Sequence, residues 1–337
     1  MLKKILERNE FITFSIIVLL SLIIGFLNPA FFSLSTIFEV LRASIVFSIM
    51  AFGVLLVLIS GGVDISFVAI AAMASYATHI LLLKLGYQGG ILLYYIIGCS
   101  IGMLAGWLNG FIITKFKLPV FDVSIATMTI WYGFTRFFIG STKNFDLPQD
   151  TVGYYGKFIV IVKDPFVGQS GLHVSVLYVL VIGIFIWWLL RYTTLGRGIY
   201  AMGGNREVAI RSGFNIKQIT MVVFIIVGFL SAFSGITMGF LSRHFDPSLF
   251  ISEVLDVIAA VILGGAAITG GRGSVIGTFM GVILVQLINR AMILTGITVE
   301  WQEFLVGIIL ILFISIPAIR DFLNKRNTRI LKTEEDI

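Results

Sequence analysis

The sequence predicts an all-α protein, a polytopic transmembrane helical bundle of about ten spans that forms a single domain over residues 1–337. Two observations predict this class. Hydrophobic residues make up 58% of the chain and charged residues 12%, whereas soluble domains carry about 25% charged residues, and the mean hydropathy is +1.02. Apolar stretches close to the roughly 20 residues that a helix needs to cross the hydrocarbon core also recur along the chain.

The spans are helical because lipid offers no partner for a free backbone amide, and the alternating pattern of a barrel strand is absent. All six prolines fall in loops or at span ends, as expected for a residue that breaks helices. The first stretch resembles a signal peptide but lacks a cleavage site, so we expect it to remain as a span. The predicted spans are 11–27, 43–60, 67–83, 91–113, 118–139, 172–190, 218–241, 253–268, 275–295 and 302–318.

Ten spans place both termini on one side of the membrane, and charge predicts which side. Sixteen of the 24 Lys and Arg fall on one set of segments, and six fall on the opposite loops. The positive-inside rule therefore places both termini in the cytoplasm. Because the basic residues are scattered over loops, the net charge of +6 indicates contact with membrane lipid and not with nucleic acid. The basic set is the N-terminal segment, 61–66, 114–117, 191–217, 269–274 and 319–337.

Three segments lie outside the predicted spans and are long enough to have structure of their own. The external loop 140–171 is predicted to form a small cap on the outer face. The cytoplasmic loop 191–217 is the longest basic interruption, and the tail 321–337 is basic and then acidic. The single cysteine, Cys99, excludes a disulfide within the chain.

No catalytic or nucleotide-binding pattern appears in the sequence, which therefore predicts a protein that is not an enzyme and has no cofactor of its own. The phosphate-binding pattern GxxxxGK[ST] and the zinc pattern HExxH do not occur. The three histidines are far apart in sequence, so no metal site is predicted. Ionisable residues inside spans are few, and Arg136 and Arg290 lie near span ends where they could extend to the interface.

Asp64 lies in the motif GGVDIS between two spans, where it could cap the next helix or contact a substrate. Other polar and aromatic side chains within spans could meet a hydroxylated ligand, although no spacing singles them out. The candidates for a substrate path are Asp64, Asn109, Trp131, Phe240 and Asn289.

The cytoplasmic loop predicts a short capped helix of about two turns. Asn205 is a good N-cap, and Glu207 and Arg211 match the helix dipole at its two ends. Gly213 suits the left-handed position after the helix. Gly203 and Gly204 precede the helix, and Arg206, Glu207 and Arg211 have no obvious partner within the loop. A helix this short does not persist alone in water, so it docks either onto a partner or onto the protein's own inner surface.

Three stretches resemble, in the same order, the permeases of bacterial sugar-uptake ATP-binding-cassette importers of the ribose/xylose/autoinducer-2 type. They are LISGGVDIS (58–66), GRGIYAMGGNREVAIRSGF (196–214) and EVLDVIAAVILGGAAITGGRGSVIGT (253–278). One departure is Phe67-Val68, where the family usually has Val-Gly. The resemblance covers nearly the whole chain. It implies that residues 203–213 are a coupling helix that docks on an ATPase.

The resemblance also implies an assembly and a location. The partners would be an ATP-binding-cassette ATPase subunit that binds ATP and Mg²⁺, a second permease copy or paralogue, and an extracytoplasmic sugar-binding protein. The location would be the bacterial cytoplasmic membrane. Two alternatives stay open: an ion-coupled secondary carrier, or a permease of the same class for branched-chain amino acids or nucleosides.

Overall fold

The computed structural model describes residues 9–164 and 168–295, together with residues 301, 304, 307, 308 and 311. Its α-helices are α1 (Asn9–Leu27), α2 (Leu34–Ile59), α3 (Phe67–Lys84), α4 (Leu92–Phe116), α5 (Val120–Phe134), α6 (Gln149–Val152), α7 (Val176–Tyr192), α8 (Thr194–Gly204), α9 (Arg206–Arg211), α10 (Ile216–Ser242), α11 (Val254–Leu263) and α12 (Val275–Thr295). A π-helical turn, Thr135–Ile139, extends α5. Of the predicted last span, 302–318, the structure describes only residues 304, 307, 308 and 311, all helical, and the tail 321–337 falls outside the described residues.

Five of these helices, α2, α3, α4, α10 and α12, are long and apolar enough to cross a membrane, and the bent pair α7–α8 makes up to six. Helices α4 and α7 expose large apolar side chains such as Leu104 and Val181, as a surface facing lipid does. The protein is therefore an integral membrane protein. The predicted total of about ten spans and the side on which the termini lie remain predictions.

The predicted span 253–268 is helical only over α11, which at 10 residues is about 15 Å long, half of the hydrocarbon thickness. The segment after it is only partly covered, with Ile268 42% exposed. Thr13 of α1 donates to the carbonyl of Leu263, and the amide of Ala267 donates to the carbonyl of Arg272. These bonds satisfy some of the backbone groups that the end of α11 leaves free.

Loops predicted to share a side of the membrane do lie together at one end of the bundle. Glu10, at the start of α1, accepts a hydrogen bond from Ser274, and Gly271 donates to the carbonyl of Ile59. Segments 61–63 and 114–121 line one cavity with the start of α10. We call this the glycine end, and the opposite end, which carries 140–174, the hairpin end.

The prediction of an all-α fold is wrong at the hairpin end. Strands β1 (Phe158–Asp164) and β2 (Gly168–His173) pair antiparallel within the segment predicted as an external cap. The run Phe158–Val162 of aromatic and β-branched residues favours a strand, and its short length made it look like loop between spans. Buried His173 donates from Nε2 to the carbonyl of Tyr154 and accepts at Nδ1 from Ser175, and burial lowers its pKa.

The hairpin end is held by an aromatic and cationic cluster. The guanidinium groups of Arg42 and Arg243 lie over the ring of Tyr155, at 4.2 and 4.1 Å from its centre. Arg42 was predicted in a loop, but α2 begins nine residues earlier than expected and includes it. Such contacts stabilise a cation over a ring by about 0.5–2 kcal/mol, so they fix the cap to the first half of α2 and to the end of α10.

Helix α10 lies at the centre of the bundle and packs closely against α4. A Cβ added at Gly102 or Gly106 would overlap the backbone of Gly228 or Phe224, and one at Gly228 would overlap Gly102. Small residues four positions apart let two helix backbones approach in this way. Helix packing therefore explains why glycine recurs every four residues along α4.

Arg290, predicted near a span end, forms an ion pair with Glu39 of α2, and both side chains are partly exposed, at 21% and 31%. A paired charge costs less in a membrane protein than an isolated one. The pair joins α12 to α2.

Candidate functional site

The short helix predicted in the cytoplasmic loop is confirmed as α9. The side chain of Asn205 accepts a hydrogen bond from the amide of Val208 at 3.1 Å, as an N-cap does. At the other end, the amide of Gly213 donates to Ile210 and that of Phe214 to Ala209. Gly213 has φ +85°, so these bonds form a Schellman motif closed by a left-handed glycine.

Helix α9 is anchored by one residue and exposes the rest. Ala209 is 1% exposed, whereas Val208 and Ile210 are 56% and 55% exposed. Glu207 and Arg211 lie 3.9 Å apart with both side chains open to solvent, so the expectation that they lack a partner in their own loop is wrong. A pair this exposed contributes little to stability, and both charges stay available to another molecule.

The sequence missed helix α8, which comes directly before α9. Its four glycines indicated an irregular loop, because glycine weakens a helix. The structure gives the reason for two of them: a Cβ at Gly196 would overlap the carbonyls of Leu189 and Leu190, and one at Gly198 would crowd Ile219. Helix α8 bends away from α7 by 73°, and this turn in the chain leads directly into α9.

The motif GGVDIS (61–66), the motif GGRG (270–273) and the last turn of α8 meet at one place. We call it the glycine junction, and it consists of Gly61, Gly203, Gly270 and Gly271. A Cβ at Gly203 would overlap the carbonyl of Ile59 and lie 2.6 Å from the amide of Gly271. The amide of Gly271 donates to that same carbonyl at 2.8 Å. Gly61, Gly270 and Gly271 have φ of +87°, +88° and +73°, which glycine adopts without strain.

The junction joins three elements through backbone alone. It connects the end of α2, the loop between α11 and α12, and the last turn of α8, which continues into α9. No flexible side chain lies between these backbones to absorb a displacement. Backbone contacts therefore join α9, through Gly203, to the end of α2 and to the loop before α12. The sequence showed both motifs but not that they meet at Gly203.

Asp64 does not cap α3 as predicted: no side chain caps the first turn of that helix, and Asp64 instead closes a turn onto Ser66, the residue before the helix. Its Oδ1 accepts from the amide of Ser66 at 2.8 Å and from the Ser66 hydroxyl at 2.6 Å. Asn109 of α4 donates to that hydroxyl at 2.8 Å. All three residues are fully or almost fully buried, and burial raises the pKa of the Asp64 carboxyl. We call Asp64, Ser66 and Asn109 the buried polar triad.

The candidates for a substrate path do not converge in the structure. Asp64 and Asn109 meet through Ser66, a residue that the sequence did not single out. Trp131 packs near Ile70 and Met73, and Phe240 packs against the rings of Tyr94 and Phe245. Asn289 lies on α12. A role in substrate passage stays a prediction for each of them.

A cavity of about 740 Å³ lies beside the glycine junction, between α4, α5 and α10. Its wall includes Gly203 and Arg206, so it reaches the start of α9. Polar wall groups come from Ser60, Thr114 and Thr220. None of the five predicted path residues lines it.

The described residues form a bundle of apolar helices that presents an exposed, capped helix at one end, which defines a helical membrane protein. Comparison with known proteins agrees. The family model described as "Branched-chain amino acid transport system / permease component" matches residues 36–314. The chain belongs to this family.

Relatives named for sugar import are similar over most of the chain. A ribose import permease protein of Bacillus subtilis is 31% identical over 296 residues, covering 87% of this chain and 88% of the relative. Its counterpart in Haemophilus influenzae is 30% identical over 302 residues, covering 88% of each. An autoinducer 2 import system permease protein of Klebsiella pneumoniae is 27% identical, covering 92% and 86%. The resemblance found in the three motifs is confirmed. No solved structure matches.

Proposed function

We propose that this chain is the permease subunit of an ATP-binding-cassette importer that takes a monosaccharide or similar small hydroxylated solute into the cell. Ribose-like sugars, other pentoses or hexoses, and autoinducer-2 are the candidates. The observation that carries the proposal is the combination of relatives named for ribose and autoinducer 2 import with an exposed, doubly capped helix on a glycine junction. The subunit works in the bacterial cytoplasmic membrane.

In this proposal α9 is the coupling helix, and the loop 191–217 is the coupling loop. The ATPase binds ATP and Mg²⁺, and its closure pushes on Arg206, Glu207, Arg211 and the exposed apolar side chains of α9. Asn205 and Gly213 hold the helix ends, and the backbone at Gly203 and Gly204 carries the displacement into the bundle, although of these two only Gly203 has no room for a side chain. The glycine junction then shifts α2 and α12, which changes the bundle between outward- and inward-facing states.

The proposed assembly contains two permeases, two ATPase domains and an extracytoplasmic sugar-binding protein. The hairpin end would face that binding protein, which holds most of the specificity. Two observations favour this importer over an ion-coupled carrier: the exposed α9, and the scarcity of acidic residues in the spans. The description of the matching family keeps branched-chain amino acids as a second candidate cargo, although the relatives described above are named for sugars and autoinducer 2.

The sidedness of the two ends has a direct test. Cysteines introduced at Asn205 and at Gln149 should label oppositely with an impermeant thiol reagent in intact cells, because the basic residues place the glycine end in the cytoplasm. We expect labelling at Gln149 only. The native Cys99 is buried and provides the background. Labelling of Asn205 from outside would reverse the topology and exclude α9 as a coupling helix.

Charge reversal at α9 tests contact with the ATPase. We expect Arg211→Glu to reduce the amount of ATPase that co-purifies with the permease, and to reduce it more at low salt, because repulsion between like charges is then less screened. The control is Arg197→Glu, which makes the same charge change on an exposed residue of α8. Equal recovery of the ATPase with both variants would contradict the contact.

A further inference from the structure

The cavity beside the glycine junction carries three cations from three elements. Lys117 ends α4, Arg206 begins α9, and Lys217 lies in the first turn of α10, and all three line its wall. The wall contains no Asp or Glu. Within the described part of the chain, none of the three forms an ion pair. Positive charge that converges on a concave site without a counter-charge attracts an anion.

The remaining walls of the cavity have two kinds of surface. Ser60 and Thr114 bring hydroxyl groups to the wall, but these donate to the carbonyls of Val57 and Gly110, so the cations supply the donors for an oxyanion. The other side is apolar and is formed by Leu118, Val120 and Phe121. Leu118 and Phe121 are 46% and 47% exposed, so this apolar surface continues onto the outside of the bundle. A cationic site next to an exposed apolar surface fits a lipid headgroup and its chain better than a free ion.

Lys117 has an unusual backbone conformation for its residue type. It caps α4 with φ 54°, a left-handed position that glycine fills without strain and that costs other residues of order 1 kcal/mol. Glycine would therefore stabilise the backbone here, yet lysine provides the charge at the cavity. This position offers a variant that removes the cation without harming the fold.

We propose that this cavity binds the phosphate group of an anionic phospholipid of the cytoplasmic leaflet. Lys117 and Lys217 hold the phosphate together with Arg206, and an acyl chain lies along Leu118 and Phe121. Since Arg206 is the first residue of α9, a bound lipid contacts the coupling helix directly and biases its position. The proposal rests on the proposed cytoplasmic side of the glycine end. Basic pockets between helices on that side are known to suit anionic headgroups.

The test uses the full chain, purified with and without its ATPase and reconstituted in nanodiscs of phosphatidylcholine with or without phosphatidylglycerol. Native mass spectrometry counts retained phosphatidylglycerol, and thermal shift measures its binding. The variant is Lys117→Gly with Lys217→Gln. The control is Lys115→Gln with Arg197→Gln, which removes two exposed cations of the same end that do not line the cavity. We expect roughly 10- to 30-fold weaker phosphatidylglycerol binding for the first pair only.

The remaining arms separate the possible sources of the anion. The proposal of a lipid is supported if phosphatidylglycerol raises the thermal stability of the protein and millimolar inorganic phosphate in phosphatidylcholine discs does not. Equal stabilisation by inorganic phosphate, lost in the same variant, overturns the lipid and leaves a free-phosphate site. An equal loss of phosphatidylglycerol binding in both pairs of variants would show that general surface charge attracts the lipid, and this result overturns the site. Binding that disappears when the ATPase is present overturns it in favour of an acidic segment of the ATPase. Because lipid is counted directly, these outcomes do not depend on transport.

Discussion

Gly203→Ala should abolish transport, and Gly204→Ala, one residue further, should not. The methyl group at Gly203 overlaps the carbonyl of Ile59 and meets the amide of Gly271, whereas at Gly204 it meets nothing within 4 Å. Backbone atoms cannot rotate away, so the glycine junction must open. Overpacking of this kind costs about 1–3 kcal/mol, and here it also separates α9 from the ends of α2 and α12.

The measurement is uptake and substrate-stimulated ATP hydrolysis by the reconstituted complex, with thermal stability of the permease determined in parallel. We expect both activities to fall to background for Gly203→Ala while the protein still inserts and is purified. Gly204→Ala should match the wild type in all three assays. Wild-type uptake by Gly203→Ala would show that the junction does not transmit force.

Asp64→Ala should destabilise the protein more than Asp64→Asn. Alanine leaves the amide and hydroxyl of buried Ser66 without an acceptor, which costs about 1–3 kcal/mol for each unpaired group. Asparagine keeps an oxygen at the position of Oδ1. The measurement is thermal unfolding of the purified permease, and equal loss in both variants would contradict the role of the buried polar triad.

The same site predicts a dependence on pH. Burial raises the pKa of the Asp64 carboxyl above its ordinary value of 3.8, so the folded protein holds the proton more tightly than the unfolded chain. The stability that this proton contributes is complete below pH 3.8 and is lost as the pH rises through the folded-state pKa. Asp64→Asn has no such group, so its stability should fall less than that of the wild type over this range. Parallel curves would contradict this assignment.

Local chemistry made the cap residues predictable. Asn205 accepts from the amide of Val208, and the amide of Gly213 donates to the carbonyl of Ile210. Both bonds span three residues, so the pattern alone placed both ends of α9. The apolar stretches likewise placed the long helices, because lipid fixes their length and composition.

Contacts between distant segments were not predictable in this way. The meeting of Gly203 with Ile59 and Gly271, the pairing of Arg290 with Glu39, and the link from Asn109 to Ser66 all join residues far apart in sequence. Each of them depends on how the helices pack. Helix α8 was missed for the same reason, since its glycines are explained by neighbours and not by local preference.

The central claim is that ATP hydrolysis on a partner drives sugar import through this chain, and uptake into proteoliposomes tests it most directly. The permease is reconstituted with its ATPase and binding protein, and accumulation of labelled ribose, galactose and autoinducer-2 is measured with internal ATP. We predict accumulation of at least one solute that requires ATP and the ATPase and is unaffected by collapsing ion gradients. Accumulation by the permease alone, driven by an imposed proton or sodium gradient, would contradict the account.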